Sequence, residues 1–522
     1  MSPAHPSGQR SDDASTRPVD LGNTRPIDPQ DPAHAVWLKN LQGNILVGHG
    51  RDHTVHLFVR LPGDAQAARA LVAELAGRVT SAFKQETERR QFHDCRVPGA
   101  LFANLFLSAN GYRRLGVPNE LLQDRFAEAG EQPRPTASNF LDGMARHAVD
   151  DLGDPPPAQW DAGFTAGGID AMLLLADDDE GHLLRETRQV LDALDGRCEI
   201  VRIERGTALR NDDGEGIEHF GYVDGRSQPL FVSTDFRGLE DGAIGAGTTE
   251  AQGGRVDVWN PFEPLRLVLV PDPLAERADC LGSYFVFRKL EQNVRDFTIQ
   301  EQRLADQLQL KGADRQRAGA MVVGRFRDGT PLVLSQADGF APPKENNFRF
   351  DGAQGDPQGL RCPVHAHIRK ANPRGDIVRK FGAPESAERE RRIVRRGITY
   401  GRRNRHPNAF QALDDLPSDR VGLLFMCFQA SIRNQFAFIQ RGWANNQAFI
   451  EEGAGIDPVI GQLDSEQPGG PKAEPVAQTW RPEYGSDQRP TQAFFGSFVR
   501  MRGGEFFFAP SLPFLRGLAA TA

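Results

Sequence analysis

The most chemically suggestive stretch of the sequence is a short loop that holds one carboxylate between two glycines. Asp224 lies between Gly221 and Gly225 in the segment HFGYVDGRSQP (His219–Pro229). Glycine tolerates sharp backbone turns, so the segment predicts a tight turn that fixes the carboxylate. The carboxylate of an ordinary surface turn, which accepts hydrogen bonds from nearby backbone N–H groups, would give the same pattern. A carboxylate held in this way would also suit general acid–base catalysis.

A second candidate is a pair of histidines in the basic segment RCPVHAHIRKANPRGD (Arg361–Asp376). His365 and His367 could lie in a surface loop without a function, or one of them could bind a metal, since imidazole is the commonest protein ligand. The spacing matches no zinc motif, because a zinc site recruits several His, Cys or carboxylate ligands. Haem iron needs only one protein ligand besides the porphyrin, and cations beside it could contact the propionates. The cations that follow are Arg369, Lys370 and Arg374. We therefore expect one of the two histidines, and not both, to be a haem ligand.

The third candidate is a cationic cluster, RRIVRRGITYG (Arg391–Gly401). Most arginine runs are solvated helix faces, but here Ile393, Val394 and Ile398 interrupt the charges. At least one arginine is therefore expected beside buried surface, where it needs an anionic partner. Asp224 is a candidate for that partner.

Composition limits the classes of protein that fit. The chain has 522 residues, 39% of them hydrophobic, and a net charge of −8. This length predicts two or more domains, and the acidic balance argues against nucleic-acid and membrane-surface binders. The five cysteines lack CxxC spacing, which argues against a disulfide framework and favours a reducing compartment. Because we find no secretory signal and no apolar run of transmembrane length, we expect a soluble, cytoplasmic protein.

Patterns along the chain indicate two α+β domains, each a sheet covered on one side by helices, for which a ferredoxin-like topology is a sensible hypothesis. Strands are predicted at His53–Leu61, Ala171–Ala176, Glu199–Gly206, Leu265–Val270, Gly282–Leu290 and Val421–Ala430. Helices are predicted at Asp64–Phe83, His182–Leu194, Val294–Leu310 and Ile432–Asn446. Long loops are predicted at Lys344–Pro363 and Asp464–Tyr484.

The three candidate segments resemble the motifs of the dye-decolourising peroxidases, a family of haem enzymes. FGYVDGRSQP (Phe220–Pro229) contains the Gly-x-x-Asp-Gly motif of that family. HIRKANPR (His367–Arg374) resembles its proximal-histidine segment, and IVRRGITYG (Ile393–Gly401) resembles its distal-arginine segment. Further similar segments, such as LQGNIL (Leu41–Leu46), follow in order over about residues 36–516. On this order of segments, more than on any single motif, the chain is identified as a member of the family.

The resemblance implies a fold class of α+β with two ferredoxin-like domains of the dimeric α+β barrel type, in which helices pack on antiparallel sheets. We expect a disordered arm at residues 1–35 and an N-terminal domain at residues 36–230, which ends at the Asp224 motif. A haem-binding C-terminal domain would follow at residues 231–522. The implied cofactor is haem b, iron protoporphyrin IX.

The resemblance also implies roles for individual residues. His367 would be the axial iron ligand and His365 would not, while Asp224 would be the distal acid/base and Arg395 would stabilise the charge on peroxide. The choice of Arg395 over Arg396 rests on alignment with the distal-arginine pattern of the family. Further residues implied to contact the cofactor or its ligand are Arg374, Leu423, Phe425 and Asp457, of which Asp457 would hydrogen-bond the axial histidine.

The implied function is that of a peroxidase, which reduces H2O2 through a high-valent iron-oxo intermediate and oxidises dyes, phenols or other aromatic reductants. We expect hydrogen peroxide and such reductants as partners, no nucleic acid and no membrane, and the oligomeric state stays open. Tyr400, Trp443 and Trp480 are candidate relays for electrons from bulky dyes. The alternative is a haem-binding or haem-transfer protein without significant turnover, although mere binding would need neither Asp224 nor Arg395.

An aspartate base predicts a mildly acidic activity optimum. A carboxyl group ordinarily ionises with a pKa of about 3.9, so it remains a base at a pH where histidine would already be protonated. The pH profile of dye oxidation, corrected for enzyme stability, tests this expectation. A profile that rises steadily up to pH 8 would argue against Asp224 as the base.

Overall fold

The protein is built around one continuous antiparallel sheet that takes strands from both halves of the chain. The computed structural model describes residues 18–127, 139–164, 168–235, 259, 261–339, 346–409, 411–463 and 475–521. Within these residues, ten strands form the main sheet, and two pairs of short strands, β5 with β6 and β12 with β13, form separate sheets. The strands are β1 (His53–Arg60), β2 (Phe102–Leu107), β3 (Ala171–Asp177), β4 (Glu199–Thr207), β5 (Leu209–Arg210), β6 (Gly216–Ile217), β7 (Val270–Pro271), β8 (Leu281–Gln292), β9 (Val394–Arg395), β10 (Ile398–Tyr400), β11 (Gly422–Gln429), β12 (Gln478–Trp480), β13 (Thr491–Ala493) and β14 (Val499–Ala509).

Helices connect these strands. The α-helices are α1 (Pro32–Leu38), α2 (Ala65–Ala76), α3 (Ala82–Cys95), α4 (Ala109–Arg114), α5 (Asn119–Arg125), α6 (Asn139–Asp142), α7 (Met144–His147), α8 (Glu180–Leu194), α9 (Val294–Gln307), α10 (Gln316–Val323), α11 (His367–Ala371), α12 (Asp376–Phe381), α13 (Glu385–Arg389) and α14 (Leu512–Gly517). Short 3-10 turns lie at Pro157–Gln159, Leu265–Leu267, Gly312–Arg315, Leu413–Asp415 and Leu518–Thr521. Two π-helical turns follow β11, at Ile432–Ala437 and Ile439–Ala444. No helix in the described ranges is both long and apolar enough to cross a membrane.

The two halves of the sheet have the same strand order. In the first half the order is β2-β3-β1-β4, and in the second half it is β10-β11-β8-β14. In both, the chain's second strand lies at one edge, followed by the third, the first and the fourth. With helices between the strands, this antiparallel order is that of a ferredoxin-like unit. The predicted fold class, two ferredoxin-like α+β units, is therefore confirmed.

The ends of the two half-sheets meet, so that the sheet closes on itself. At one junction β14 pairs with β2, with Phe508 opposite Leu107. At the other, the Thr399 hydroxyl on β10 donates a hydrogen bond to the Thr207 carbonyl at the end of β4. A Cβ atom on Gly206 would lie 2.4 Å from the Ile398 side chain, so β4 and β10 approach closely. The closed arrangement is a barrel, in which both edges are protected.

The inside of the barrel is filled by aromatic side chains from both halves. Phe106 on β2 stacks on Phe285 on β8 with ring centroids 4.1 Å apart. Phe58 on β1 contacts Phe287 on β8 edge to face at 4.9 Å. All four rings are fully buried. The halves therefore share one core, while the predicted division of the chain at residues 230/231 stays a prediction.

Most predicted elements are present, and the differences have local causes. The predicted long helix at Asp64–Phe83 is two helices, because Gly77 ends α2 and the Ser81 hydroxyl accepts from the Lys84 N–H to begin α3. The predicted helix at Ile432–Asn446 has wider π-helical turns.

The predicted strand at Leu265–Val270 is wrong. Leu265–Leu267 is a 3-10 turn after Pro264, and only Val270 joins a strand, β7. The apolar residues here are buried as a turn against the core, which a short apolar run cannot distinguish from a strand. The predicted long loops are described only in part: residues 340–345 and 464–474 lie outside the described ranges, and β12 lies within the second loop.

The structure also differs from the expected disordered arm. Residues 1–17 lie outside the described part of the chain. Further on, Ile27 is buried, and its N–H donates to the Phe231 carbonyl at 2.7 Å. The Asp31 side chain then caps α1 by accepting from the Ala33 N–H. The prediction of disorder is therefore wrong for this stretch, which packs beside the end of the Asp224 segment.

The hydroxyl that closes the barrel is open to a direct test. We expect Thr399→Val to lower the free energy of unfolding by about 0.5–1.5 kcal/mol, because the hydrogen bond from the Thr399 hydroxyl to the Thr207 carbonyl is lost. Thr399→Ser keeps the hydroxyl and is the matched control. Chemical denaturation of the two variants measures the difference. Equal stability of Thr399→Val and the unchanged protein would show that this hydrogen bond does not hold the barrel closed.

Candidate active site

One large cavity lies beside the barrel and collects most of the residues that the sequence singled out. It encloses about 1840 Å³ of empty space, part of it open to solvent. The predicted site residues that line it are Asp224, His367, Arg374, Arg395, Leu423 and Phe425. The remaining one, Asp457, lies directly behind His367. The structure thus brings together all the predicted site residues.

The Asp224 turn is fixed by its backbone. The Asp224 N–H donates to the Gly216 carbonyl at 3.0 Å, and the Gly225 N–H donates to Asp224 Oδ1 at 2.6 Å. Gly225 has a φ of +79°, in the left-handed region that glycine enters at little cost. As in an ordinary turn, one carboxylate oxygen accepts a backbone hydrogen bond. The other, Oδ2, has no hydrogen-bond partner among the described residues, and the side chain is 39% exposed.

Arg395 is the arginine of the cationic cluster that meets Asp224. Its Nη1 donates to Asp224 Oδ1 at 3.0 Å, and its Nη2 donates to the Arg226 carbonyl. The backbone N–H of Arg395 donates to Gln228 Oε1 at 3.1 Å, so the Asp224 segment holds the arginine at two further points. Asp224 is therefore the anionic partner of Arg395, whereas the more buried Arg392 of the same cluster pairs with Glu263.

The next residue, Arg396, contacts a different part of the protein from Arg395. Its guanidinium donates to the carbonyl groups of Asn44 at 2.7 Å and Ile45 at 3.0 Å, both in the LQGNIL segment. Burial lowers the pKa of Arg396 to about 10. Arg396 thus anchors the cluster to the N-terminal half, and Arg395 is left facing the cavity.

His367 is backed by a buried carboxylate. Its Nδ1 lies 2.8 Å from Asp457 Oδ2. Asp457 is fully buried, and its Oδ1 accepts from the N–H groups of Val459 at 2.8 Å and Ile460 at 3.1 Å. A carboxylate at Nδ1 keeps the proton on that nitrogen and leaves Nε2 with its lone pair. No described residue hydrogen-bonds Nε2, and the side chain is 24% exposed toward the cavity.

The electrostatics of His367 connect it with the other site residues. Burial lowers the pKa of this imidazole, but the charge and hydrogen bond of Asp457 outweigh burial and raise the pKa above its ordinary value. The Arg395 charge lowers this pKa and the Asp224 charge raises it. The carboxylate–guanidinium pair is therefore close enough to act on the histidine electrostatically.

His365 is not among the residues that line the cavity. It is buried edge to face against the indole of Trp480, with ring centroids 4.4 Å apart. Burial, together with the Lys370 and Arg481 charges, holds the pKa of His365 well below its ordinary range. Of the two histidines in the basic segment, only His367 reaches the cavity.

Arg374 borders the cavity from a rigid position. Its guanidinium donates to the carbonyl groups of Asn346 at 2.7 Å and Phe348 at 2.9 Å, and also to the side chains of Asn346 and Ser227. It is 2% exposed and lies 4.1 Å from the centroid of the Phe348 ring. A cation fixed in this way would present a constant charge to an anionic group in the cavity.

The apolar wall comes from two neighbouring strands. Leu423 and Phe425 on β11 pair with Leu290 and Arg288 on β8, and all four line the cavity. Alternate residues of a strand point to the same side of a sheet, which explains the spacing of two. The Phe425 ring packs against that of Phe436 at 6.0 Å.

Several functional partners were missed by the sequence analysis. Ser227 and Gln228 belong to the quoted Asp224 segment but were not singled out, and Asn346 carried no local signal. Glu218 also lines the cavity, where it accepts from Gln292 Nε2 at 2.7 Å and burial raises its pKa to about 7. Glu218, Phe220, Tyr222, Val223 and Asp224 all line the cavity, so this short segment forms one of its walls.

Comparison with known proteins agrees with this site. Residues 40–208 match the family model described as "DyP dimeric alpha+beta barrel domain", and residues 263–452 match "Dyp-type peroxidase, C-terminal". A multifunctional dye peroxidase, DyP2 of Amycolatopsis sp., is 42% identical over 96% of this chain and 100% of its own. The chain belongs to the dye-decolourising peroxidase family. Among solved structures, a DyP-type peroxidase of Anabaena sp. matches 96% of this chain and 99% of its own with a TM-score of 0.81 and 38% identity. The solved DyP2 structure covers 96% and 100% with a TM-score of 0.82.

Dye-decolourising peroxidases are haem enzymes, and the residues of this family member fit a haem. Nε2 of His367 faces the cavity and has no hydrogen-bond partner among the described residues, as an iron ligand would require. Leu423 and Phe425 offer an apolar surface for a porphyrin, and Arg374 offers a buried cation for a propionate. Only one of the two histidines of the basic segment is available as an iron ligand, because His365 packs against Trp480.

The assignment of the iron ligand has a direct test. We expect His367→Ala to lose most of its bound haem, because the described residues that line the cavity include no other histidine and no cysteine. The Soret absorbance per protein, measured after purification with haem supplied, reports the loss. His365→Leu is the control and should keep its haem. Full haem retention by His367→Ala would place the ligand elsewhere.

Proposed function

We propose that the protein is a haem b peroxidase that reduces H2O2 and oxidises dyes, phenols or other aromatic reductants. The observation that supports this most strongly is the pairing of Asp224 with Arg395 at 3.0 Å in the same cavity that His367 faces. A protein that only stores or transfers haem, the alternative function, needs an axial ligand but no acid/base with an adjacent fixed cation.

His367 would hold the iron, and the C-terminal half would supply most of the haem site. Haem, when bound, supplies the iron at which peroxide oxygen binds and the capacity to hold the oxidising equivalents. Asp457 fixes the ring orientation of His367 and makes its Nε2 a stronger donor. Arg374 would contact a propionate, and Leu423 with Phe425 would cover the open face of the ring and limit the access of water.

Asp224 would move the proton of the peroxide. Oδ2 has no partner in the described ranges and can accept a proton from one peroxide oxygen, then deliver it to the oxygen that leaves as water. Oδ1 stays bonded to the Gly225 N–H and to Arg395, so the carboxylate does not rotate as the proton moves. The turn thus supplies a positioned base.

Arg395 would stabilise negative charge on the peroxide and on the leaving oxygen. Its guanidinium is charged at any working pH, and its hydrogen bonds to Asp224 and the Arg226 carbonyl hold it in place. A donor that is already oriented costs no reorganisation during the reaction. Arg396 also helps to fix the position of Arg395, because its guanidinium binds the Asn44 carbonyl and so anchors the same segment.

Kinetic measurements on single variants test the proposed roles of Asp224 and Arg395 separately. We expect Asp224→Asn to slow the peroxide-induced change of the Soret band by roughly 10²–10⁴-fold, the usual size of general acid–base catalysis. We expect Arg395→Leu to slow it by about 10²–10³-fold, as for the loss of one charge-stabilising donor. Stopped-flow mixing with H2O2 measures both.

Both variants should bind haem normally, because neither residue is an iron ligand. Arg402→Leu, at a side chain that is 93% exposed, is the matched control and should react like the unchanged protein. An unchanged rate in Asp224→Asn would remove this carboxylate from the mechanism. A holo-protein whose spectrum does not respond to H2O2 would instead favour the haem-transfer function.

A further inference from the structure

A buried carboxylate on α9 is not needed for the peroxide chemistry described above. α9 buries Val294, Phe297, Leu304 and Ala305 against the core, and Glu301 lies on the same buried face with only 8% exposure. A carboxylate in such a place is costly unless hydrogen bonds and a counter-charge compensate. Its presence among apolar neighbours therefore calls for an explanation.

Glu301 joins a tyrosine to an arginine. The Tyr222 hydroxyl donates to Glu301 Oε1 at 2.9 Å, and Arg327 Nη2 donates to Glu301 Oε2 at 2.9 Å. The Arg327 guanidinium also lies 5.1 Å from the centroid of the Tyr222 ring. The three side chains form one chain of hydrogen bonds, which we call the Tyr222–Glu301–Arg327 chain.

Two glycines leave room for this chain. A Cβ atom on Gly319, in α10, would lie 1.8 Å from the Tyr222 hydroxyl oxygen and 2.1 Å from Glu301 Oε1. A Cβ atom on Gly221 would lie 2.8 Å from Arg327 Nη1. Any larger residue at Gly319 would displace the hydroxyl or the carboxylate. The hydrogen bond is thus part of how α9 and α10 pack, and not an incidental surface contact.

Tyr222 is placed differently from every other tyrosine of the chain. It lines the cavity two residues before Asp224, and none of the other four does. Tyr284 and Tyr484 donate to backbone carbonyl groups, at 3.3 Å and 2.9 Å. The hydroxyls of Tyr112 and Tyr400 are buried without a partner among the described residues. Tyr222 alone combines contact with the cavity and a carboxylate that can take its proton.

We propose that Tyr222 is an electron relay of the peroxidase, with Glu301 as its proton acceptor, a role that rests on the proposed function. In the forward step Tyr222 gives one electron to the cofactor that peroxide has oxidised, and its hydroxyl proton moves to Glu301 Oε1. The products are a neutral tyrosyl radical, a protonated Glu301 and a cofactor reduced by one electron. An aromatic reductant then returns one electron to Tyr222, and Glu301 returns the proton, so that the chain is restored.

The charges around the ring require the electron and the proton to leave together. A guanidinium 5.1 Å from the ring centroid disfavours positive charge on the ring, so a phenol radical cation would be costly here. Transfer of the proton to Glu301 avoids that charge. The positive charge that remains is that of Arg327, whose side chain is 38% exposed and can be stabilised by solvent. The exposed end of the chain is also where a reductant too large for the cavity would approach.

Tyr400, a candidate relay on sequence grounds, lacks these features. The Lys289 ammonium lies 4.9 Å from its ring centroid, and its buried hydroxyl has no proton acceptor in the described part of the chain. Trp443 stacks on Phe449 at 5.3 Å, and Trp480 donates its indole N–H to the Ala493 carbonyl. Within the described part of the chain, none of the three side chains donates a hydrogen bond to a carboxylate, as the Tyr222 hydroxyl does.

The test is electron paramagnetic resonance of the haem-loaded protein, frozen within milliseconds of mixing with H2O2 in the absence of reductant. The unchanged protein should give an organic radical signal whose hyperfine pattern changes when the tyrosines carry β-deuterium. Tyr222→Phe keeps the ring but removes the hydroxyl, and it should lose that signal. Tyr400→Phe removes a hydroxyl that has no hydrogen-bond partner among the described residues, and this variant should keep the radical signal.

The same experiment on Glu301→Gln tests whether Glu301 is the proton acceptor. The amide oxygen can still accept the Tyr222 hydrogen bond, but it cannot take the proton, so the tyrosyl signal should be lost although Tyr222 remains. If this variant fails to fold because Arg327 loses its counter-charge, Tyr222→Phe still decides the question.

The outcomes separate this inference from the proposed function. If H2O2 leaves the Soret band of the unchanged protein unaltered, the proposed function itself fails. If the Soret band responds but the radical signal persists in Tyr222→Phe, or disappears in Tyr400→Phe instead, the relay is not Tyr222. A signal that is insensitive to deuterated tyrosine would assign the radical to another residue type and would equally overturn the proposal.

Discussion

The alternation of side chains along one short strand decides whether the site can exist. Arg395 ends β9 and pairs with β11 across from Cys427, so its side chain and that of Arg396 leave opposite sides of the backbone. One guanidinium reaches Asp224, and the other reaches the carbonyl groups of Asn44 and Ile45. A slip of one residue in this register would exchange them. Arg396 would then face the cavity in place of Arg395, without the hydrogen bonds that join Arg395 to the Asp224 segment.

Buried ion pairs around the cavity keep this geometry fixed. Arg288 lines the cavity and pairs with Asp154 through two hydrogen bonds of 2.9 Å and 2.6 Å, and both side chains are buried. Burial raises the pKa of Asp154 even though the Arg288 charge opposes the shift. Next to His367, Arg369 forms a comparable pair with Asp376. Such pairs contribute little net stability, but removal of one partner is costly, so they favour one arrangement over its alternatives.

Local signals predicted the strands and helices well, but not the contacts between distant residues. β3 and α8 were predicted because an apolar run and a helical periodicity are properties of neighbouring residues. The strand predicted at Leu265–Val270 failed because a short apolar run is equally compatible with a buried turn. Asp224 and Arg395 are 171 residues apart in the chain, and His367 and Asp457 are 90 apart. The residue types alone offered Asp224 as a candidate partner for one arginine of the cluster, but they could not choose Arg395 or pair His367 with Asp457. Those two choices came from the resemblance to a family.

The same loop carries the proposed proton route and the proposed electron route, and it keeps them apart. Asp224 and Tyr222 are two residues apart in the same segment, and both line the cavity. Asp224 is held by Arg395 and the Gly225 N–H, whereas Tyr222 is held by Glu301, 79 residues away on α9. Since the two hydrogen-bond networks share no side chain among these contacts, a change in one leaves the anchors of the other in place. The Asp224 turn therefore explains more than the position of one carboxylate, because the same segment fixes two neighbouring groups with different proposed roles: Asp224 in proton transfer with peroxide, and Tyr222 in electron transfer from the reductant.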